Sequence, residues 1–149
     1  MFRRFQFEDE VHQSLSCVPM AVRRKLDHIG VKLSLEQWQK LTRAERLAIC
    51  HLPVESEEES AATRDFVREA VMSRAGGPTK DLPDAVKRSA EPPTSAPQSL
   101  IEAAHGVGIE LGTAQWSRLD ADERYALIKL SSGERPSHNF AAALREFLD

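Results

Sequence analysis

Aromatic residues make up only 6% of this 149-residue chain, with a single tyrosine and two tryptophans. A core built here must rest on aliphatic side chains around a few aromatic anchors. Cysteine is scarce as well: Cys17 and Cys50 are the only two, which excludes a disulfide framework and points to a reduced compartment, the cytoplasm. No apolar run approaches the roughly 18 residues of a membrane span. The N-terminal residues turn acidic at Glu8-Asp9-Glu10, where a signal peptide would be apolar. Charge of one sign is also missing. Twenty Lys and Arg stand against 23 Asp and Glu, a net −3, which excludes a strongly basic nucleic-acid binder and an acidic tail. Phosphate-binding glycine loops, dinucleotide fingerprints, nucleophile elbows and paired zinc-ligand spacings are all lacking, so no cofactor, metal or catalytic constellation is expected. A non-enzyme is the reading that follows.

What is present is an internal repeat. Residues 26–52 and 104–130 align without a gap at an offset of 78, with nine identities. These are Gly30/Gly108, Leu33/Leu111, Gln37/Gln115, Trp38/Trp116, Leu41/Leu119, Glu45/Glu123, Arg46/Arg124, Ala48/Ala126 and Leu52/Leu130. Between the copies, residues 76–97 hold five of the eight prolines, which rules out a long helix or a central strand there. The expected organisation is a first helical lobe over 1–75, a Pro-rich linker over 76–97 and a second, similar lobe over 98–149.

Each copy reads as helices. In the first, Ser16 is expected to cap a helix with Pro19 in its first turn, and Val18, Val22, Leu26 and Ile29 form its apolar stripe. Gly30 suits the left-handed residue that ends it. Ser34 opens a short helix carrying Trp38; Thr42 with Glu45 and Ser56 with Glu59 form capping boxes for two more. In the second copy Ser99 with Glu102, Thr113, Asp120 with Glu123, and Ser137 are the corresponding starts. Phe5-Gln6-Phe7 alternates and is expected to lie extended. The class is all-α. Trp38 and Trp116 are expected in the core, and Arg46 and Arg124 are expected to pair with a carboxylate.

The first copy carries what the second lacks. Met20, Arg23, Arg24 and Asp27 fall on one helical face beside the core stripe, with Cys17 just before the helix. Met and Arg are common at protein interfaces, so this face is the expected docking surface, with Arg23 as anchor. Two other readings stand beside it. Cys17 near a helix start would have an activated thiol, as a small enzyme or redox sensor requires. The run Arg23-Arg24-Lys25 would be the cationic face of a nucleic-acid-binding regulator, a reading that the net charge makes the weakest.

The pattern Phe5-x-Phe7-Glu8, followed by Ser14-Leu15-x-Cys17-Val18-Pro19-Met20-x-Val22-Arg23-x-Lys25-Leu26-Asp27-x-x-Gly30-Val31-Lys32-Leu33 and then Trp38, resembles the bacterial nitrate reductase-associated protein family. The resemblance is strongest over residues 5–50. It implies a cytoplasmic accessory role in nitrate assimilation rather than a reaction. The partner it implies is nitrate reductase or the molybdenum-cofactor machinery.

Overall fold

The computed structural model describes residues 2–133 and 135–148. Among them the chain forms ten α-helices and one two-stranded antiparallel pair. The protein is thus mostly helical, and the small β pair is its departure from an all-α fold. The chain divides into two units, residues 1–4 with 8–90, and residues 5–7 with 91–149.

In the first unit, α1 (Asp9–Ser14) leads to α2 (Met20–Ile29), β1 (Val31–Lys32), α3 (Leu35–Lys40), α4 (Arg43–His51) and α5 (Glu57–Ala75). β2 (Lys80–Asp81) and α6 (Asp84–Arg88) complete it. Two of the expected capping boxes close here, and Ser34, expected only to open α3, forms a third. Ser34 with Gln37, Thr42 with Glu45 and Ser56 with Glu59 each exchange side-chain and backbone hydrogen bonds at the starts of α3, α4 and α5. The core gathers Val22, Leu26, Ile29, Trp38, Ile49 and Val67. Gly30 ends α2 at φ 77°, where a side chain would be strained. The carbonyl of Ile29, in the last turn of α2, accepts from Arg64 Nε at 2.9 Å.

The first part of the expected linker is folded onto this unit. β2 pairs with β1, Leu82 N–H donates to the Gly30 carbonyl at 2.9 Å, and α6 packs on α2. Prolines do interrupt residues 76–97, where the longest helix is the five-residue α6. Proline-rich sequence therefore keeps the segment from long helices without keeping it off the protein.

The second unit holds α7 (Gln98–Gly106), α8 (Thr113–Arg118), α9 (Ala121–Ser131) and α10 (Phe140–Leu148). Its core includes Leu100, Trp116, Tyr125, Leu127, Phe140 and Leu144. Asp120 with Glu123 forms the box that starts α9.

Several local expectations are corrected. Phe5-Gln6-Phe7 is not extended: Gln6–Glu8 forms a single 3-10 turn. That turn stacks the rings of Phe5 and Phe7 at 5.5 Å, and Phe147 packs on both. The Glu146 carboxylate accepts the N–H groups of Gln6 and Phe7, so the backbone is satisfied without a strand partner. Ser16 does not cap α2, nor does Ser99 cap α7. Both helices begin after a proline, Pro19 and Pro97, which takes the cap position at ψ 152° and 143°, where its fixed φ is accommodated and its missing N–H leaves no donor to satisfy. Gly112 rather than Thr113 precedes α8.

Candidate functional site

The residues expected to form a docking face lie along α2 and the segment before it. Helix α2 starts at Met20, so Cys17 stands three residues outside it. The first N–H of α2 is already taken: Met20 donates to Glu8 Oε2 at 2.8 Å. Cys17 is half-buried and lies outside the helix. Cys50 is buried in the core, and burial pushes its thiol up to about 11 against the opposing pull of Lys25. Cys50 is expected to take no alkylating label in the native protein at mildly alkaline pH and to react fully once denaturant is added. Native labelling at the Cys17 rate would contradict this burial.

Met20, expected to be exposed, is buried, because the start of α2 turns it inward beside Val18 and Val22. The three cations after it have different fates. Arg23 is exposed and its Nε donates back to the Val18 carbonyl at 3.2 Å. Arg24 is half-buried, with its Nε 2.8 Å from the Ala90 carbonyl. Lys25 Nζ donates to the carbonyls of Ile49 and Cys50 at 2.8 and 2.9 Å, in the last turn of α4. Helix ends leave such carbonyls without intrahelical partners, so a lysine there is a structural clamp. Asp27 is half-buried. The structure thus splits the predicted face: Arg23 remains outside, Arg24 and Lys25 bind main-chain carbonyls of their own unit, and Met20 joins the core. A cationic run used in this way is a poor phosphate-backbone contact.

Sequence reasoning missed the pair behind Met20. Glu8 and His12 are both buried, with His12 Nε2 3.7 Å from Glu8 Oε1. Their spacing of four along the chain was visible, but nothing local marked Glu8 as the cap of a helix twelve residues on. Burial, reinforced by the charge of Arg4 and opposed by Asp9, lowers the pKa of His12. An unfolded histidine titrates near 6.5, so on acidification the unfolded chain takes this proton first. The stability due to neutral His12 is therefore present above about pH 6.5 and lost as the pH falls through its lower folded value. The melting temperature is expected to drop between about pH 7 and pH 5, and a His12→Gln variant to drop less. Equal slopes would show that His12 does not carry this dependence.

The repeated residues have a common local geometry. Trp38 Nε1 donates to the Leu15 carbonyl at 2.8 Å, and Trp116 Nε1 to the Pro93 carbonyl at 3.3 Å; both acceptors lie 23 residues before their tryptophan. Arg46 Nε reaches the Trp38 carbonyl at 3.1 Å, and Arg124 Nε the Trp116 carbonyl at 3.2 Å. The same guanidinium groups continue to the carbonyls of Gln39 and Ser117. These arginines bind backbone, not the carboxylates expected for them, because each α3–α4 or α8–α9 turn exposes carbonyls that a planar fork can collect. Leu15 sits at φ 53°, a costly conformation for a leucine, with its side chain in the core and its carbonyl shared by Trp38 and Arg46.

Among the described residues, no three His, Cys, Asp or Glu side chains converge as metal ligands. No described helix is long and apolar enough to cross a membrane. The fold and surface define a small, mostly helical protein whose repeated tryptophans and arginines serve the fold. The chain belongs to the conserved nitrate reductase-associated protein family, whose model matches residues 4–147. The match runs well past residue 50, across residues 26–52 and 104–130 alike. No curated protein and no solved structure matches the chain.

Proposed function

We propose that this chain is a non-catalytic accessory protein of nitrate assimilation that acts by binding a protein, with nitrate reductase the first candidate and its cofactor-maturation machinery the second. The observation that carries this reading is the family match over residues 4–147 and the association its name records. The polar side chains singled out by sequence support it. Glu45 and Glu123 cap helices, Arg46 and Arg124 bind carbonyls, and Arg24 and Lys25 do the same. Exposed Arg23 is the docking anchor in this reading. The cytoplasm is the compartment it requires, where Cys17 and Cys50, both free, stay reduced.

The same reading takes residues 26–52 and 104–130 as two copies of one helical unit joined through the Pro-rich stretch. Helix starts support this: Met20 and Gln98, Leu35 and Thr113, and Arg43 and Ala121 open their helices at the same offset of 78.

The test is capture of a tagged chain from cells grown on nitrate, with identification of what is retained. Enrichment of nitrate reductase subunits or maturation enzymes, reduced for Arg23→Ala, is the expected result. Retention of neither group would overturn the reading.

A further inference from the structure

The antiparallel pair sets Lys32 of β1 directly opposite Lys80 of β2. Side chains so placed stand about 4.5–5.5 Å apart at Cβ, and like charges there repel. Nearby carboxylates do not relieve them. Asp81 is bridged to Arg68 at 2.8 Å, and Glu36 to Lys40 at 3.3 Å. Among the described residues neither Lys32 nor Lys80 stands in an ion pair, and both are exposed.

The two lysines border a cleft of about 420 Å³ whose walls include Ser34, Gln37, Lys40 and Pro78. That volume lies within the range of small-ligand sites. Lys40 is paired with Glu36, so Lys32 and Lys80 are the two charges that leave the cleft cationic. Ser34 Oγ accepts from Gln37 N–H, which leaves its hydroxyl proton to donate outward. A dianion between Lys32 and Lys80 turns their mutual repulsion into two attractions, and lysine serves phosphate as a point charge.

We propose that this cleft binds a small phosphate-bearing ligand, its phosphate bridging Lys32 and Lys80 and its organic part lying over Gln37 and Pro78. The proposal is independent of the partner reading above. The site is open to solvent, so binding weakens as salt is added.

The test is a titration of the purified full chain with inorganic phosphate, adenosine monophosphate and adenosine, followed by amide chemical shifts. The monophosphate is expected to move the signals of Lys32, Gln37 and Lys80 and to bind more tightly than inorganic phosphate, while adenosine moves none. Lys80→Gln is expected to bind about tenfold more weakly, the scale of one lost charge-assisted contact. Lys32→Glu gives two readouts at once: the melting temperature rises as the cross-strand pair becomes opposite in charge, and binding disappears. Arg88→Gln, on α6 and outside the cleft, serves as the control and is expected to bind like the parent. No shift at the cleft with either phosphate compound would overturn the proposal. So would parental binding by Lys32→Glu, adenosine equal to the monophosphate, or occupation by a glutamate-rich peptide where the monophosphate fails.

Discussion

Trp38→Ala is expected to lower stability by about 3–5 kcal/mol in urea denaturation, the scale for removing a large buried aromatic side chain. Trp38 is 0% exposed, and its indole N–H holds the Leu15 carbonyl at 2.8 Å. Truncation opens a cavity in the core cluster of the first unit and takes away a partner of the carbonyl of the left-handed Leu15. Trp116→Ala is expected near the lower end of the same range, because its indole bond to Pro93 is longer, at 3.3 Å. Trp38→Phe keeps a ring and loses the N–H, so it should cost less than the alanine variant. A loss below about 1 kcal/mol for Trp38→Ala would mean that the site collapses freely and that Trp38 is not an anchor.

Arg46→Met is expected to cost about 2–3 kcal/mol, because hydrogen bonds from a charged donor contribute roughly 1.5–3 kcal/mol and the site is only half-buried. The methionine keeps the apolar stem and removes the fork that gathers the carbonyls of Trp38, Leu15 and Gln39. Arg124→Met, with two such bonds and a guanidinium 5.6 Å from the Trp116 ring centre, is expected to cost about 1–2 kcal/mol. Lysine is not expected to rescue either site, since an ammonium cannot span carbonyls in a plane. Trp38 and Arg46 share the Leu15 carbonyl, so the double variant should lose less than the sum of the singles. Additive losses in urea denaturation would show that the shared acceptor does not couple them.

The parts of this fold legible in the sequence are those written locally. The boxes at Ser34, Thr42, Ser56 and Asp120 join residues three apart, and a reader of the chain needs no tertiary knowledge to find them. The burial of both tryptophans was legible too, since each stands three residues before a leucine on an apolar stripe. Glu8 was not, because it caps a helix from twelve residues away. Nor was Leu15, whose positive φ is imposed by its buried side chain and its shared carbonyl rather than by its own preference. The Phe5–Phe7 alternation misled because two residues are too few to fix a period, and the acids at Glu8, Asp9 and Glu10 favour a helical first turn. On the candidate face, helical spacing placed Met20 beside Arg23 and Asp27. It did not show that Met20 closes the core, or that Arg24 and Lys25 reach carbonyls 66 and 24 residues away. Long side chains find such partners only once the tertiary fold exists.

The most direct measurement is the binding of the purified chain to purified nitrate reductase, read as sedimentation of the mixture over a concentration series. Saturable complex formation, unchanged by Cys17→Ala and weakened by Arg23→Ala with its melting temperature intact, is the expected result. Independent sedimentation of the two proteins at every concentration, repeated with the cofactor-maturation enzymes, would contradict a partner-binding role.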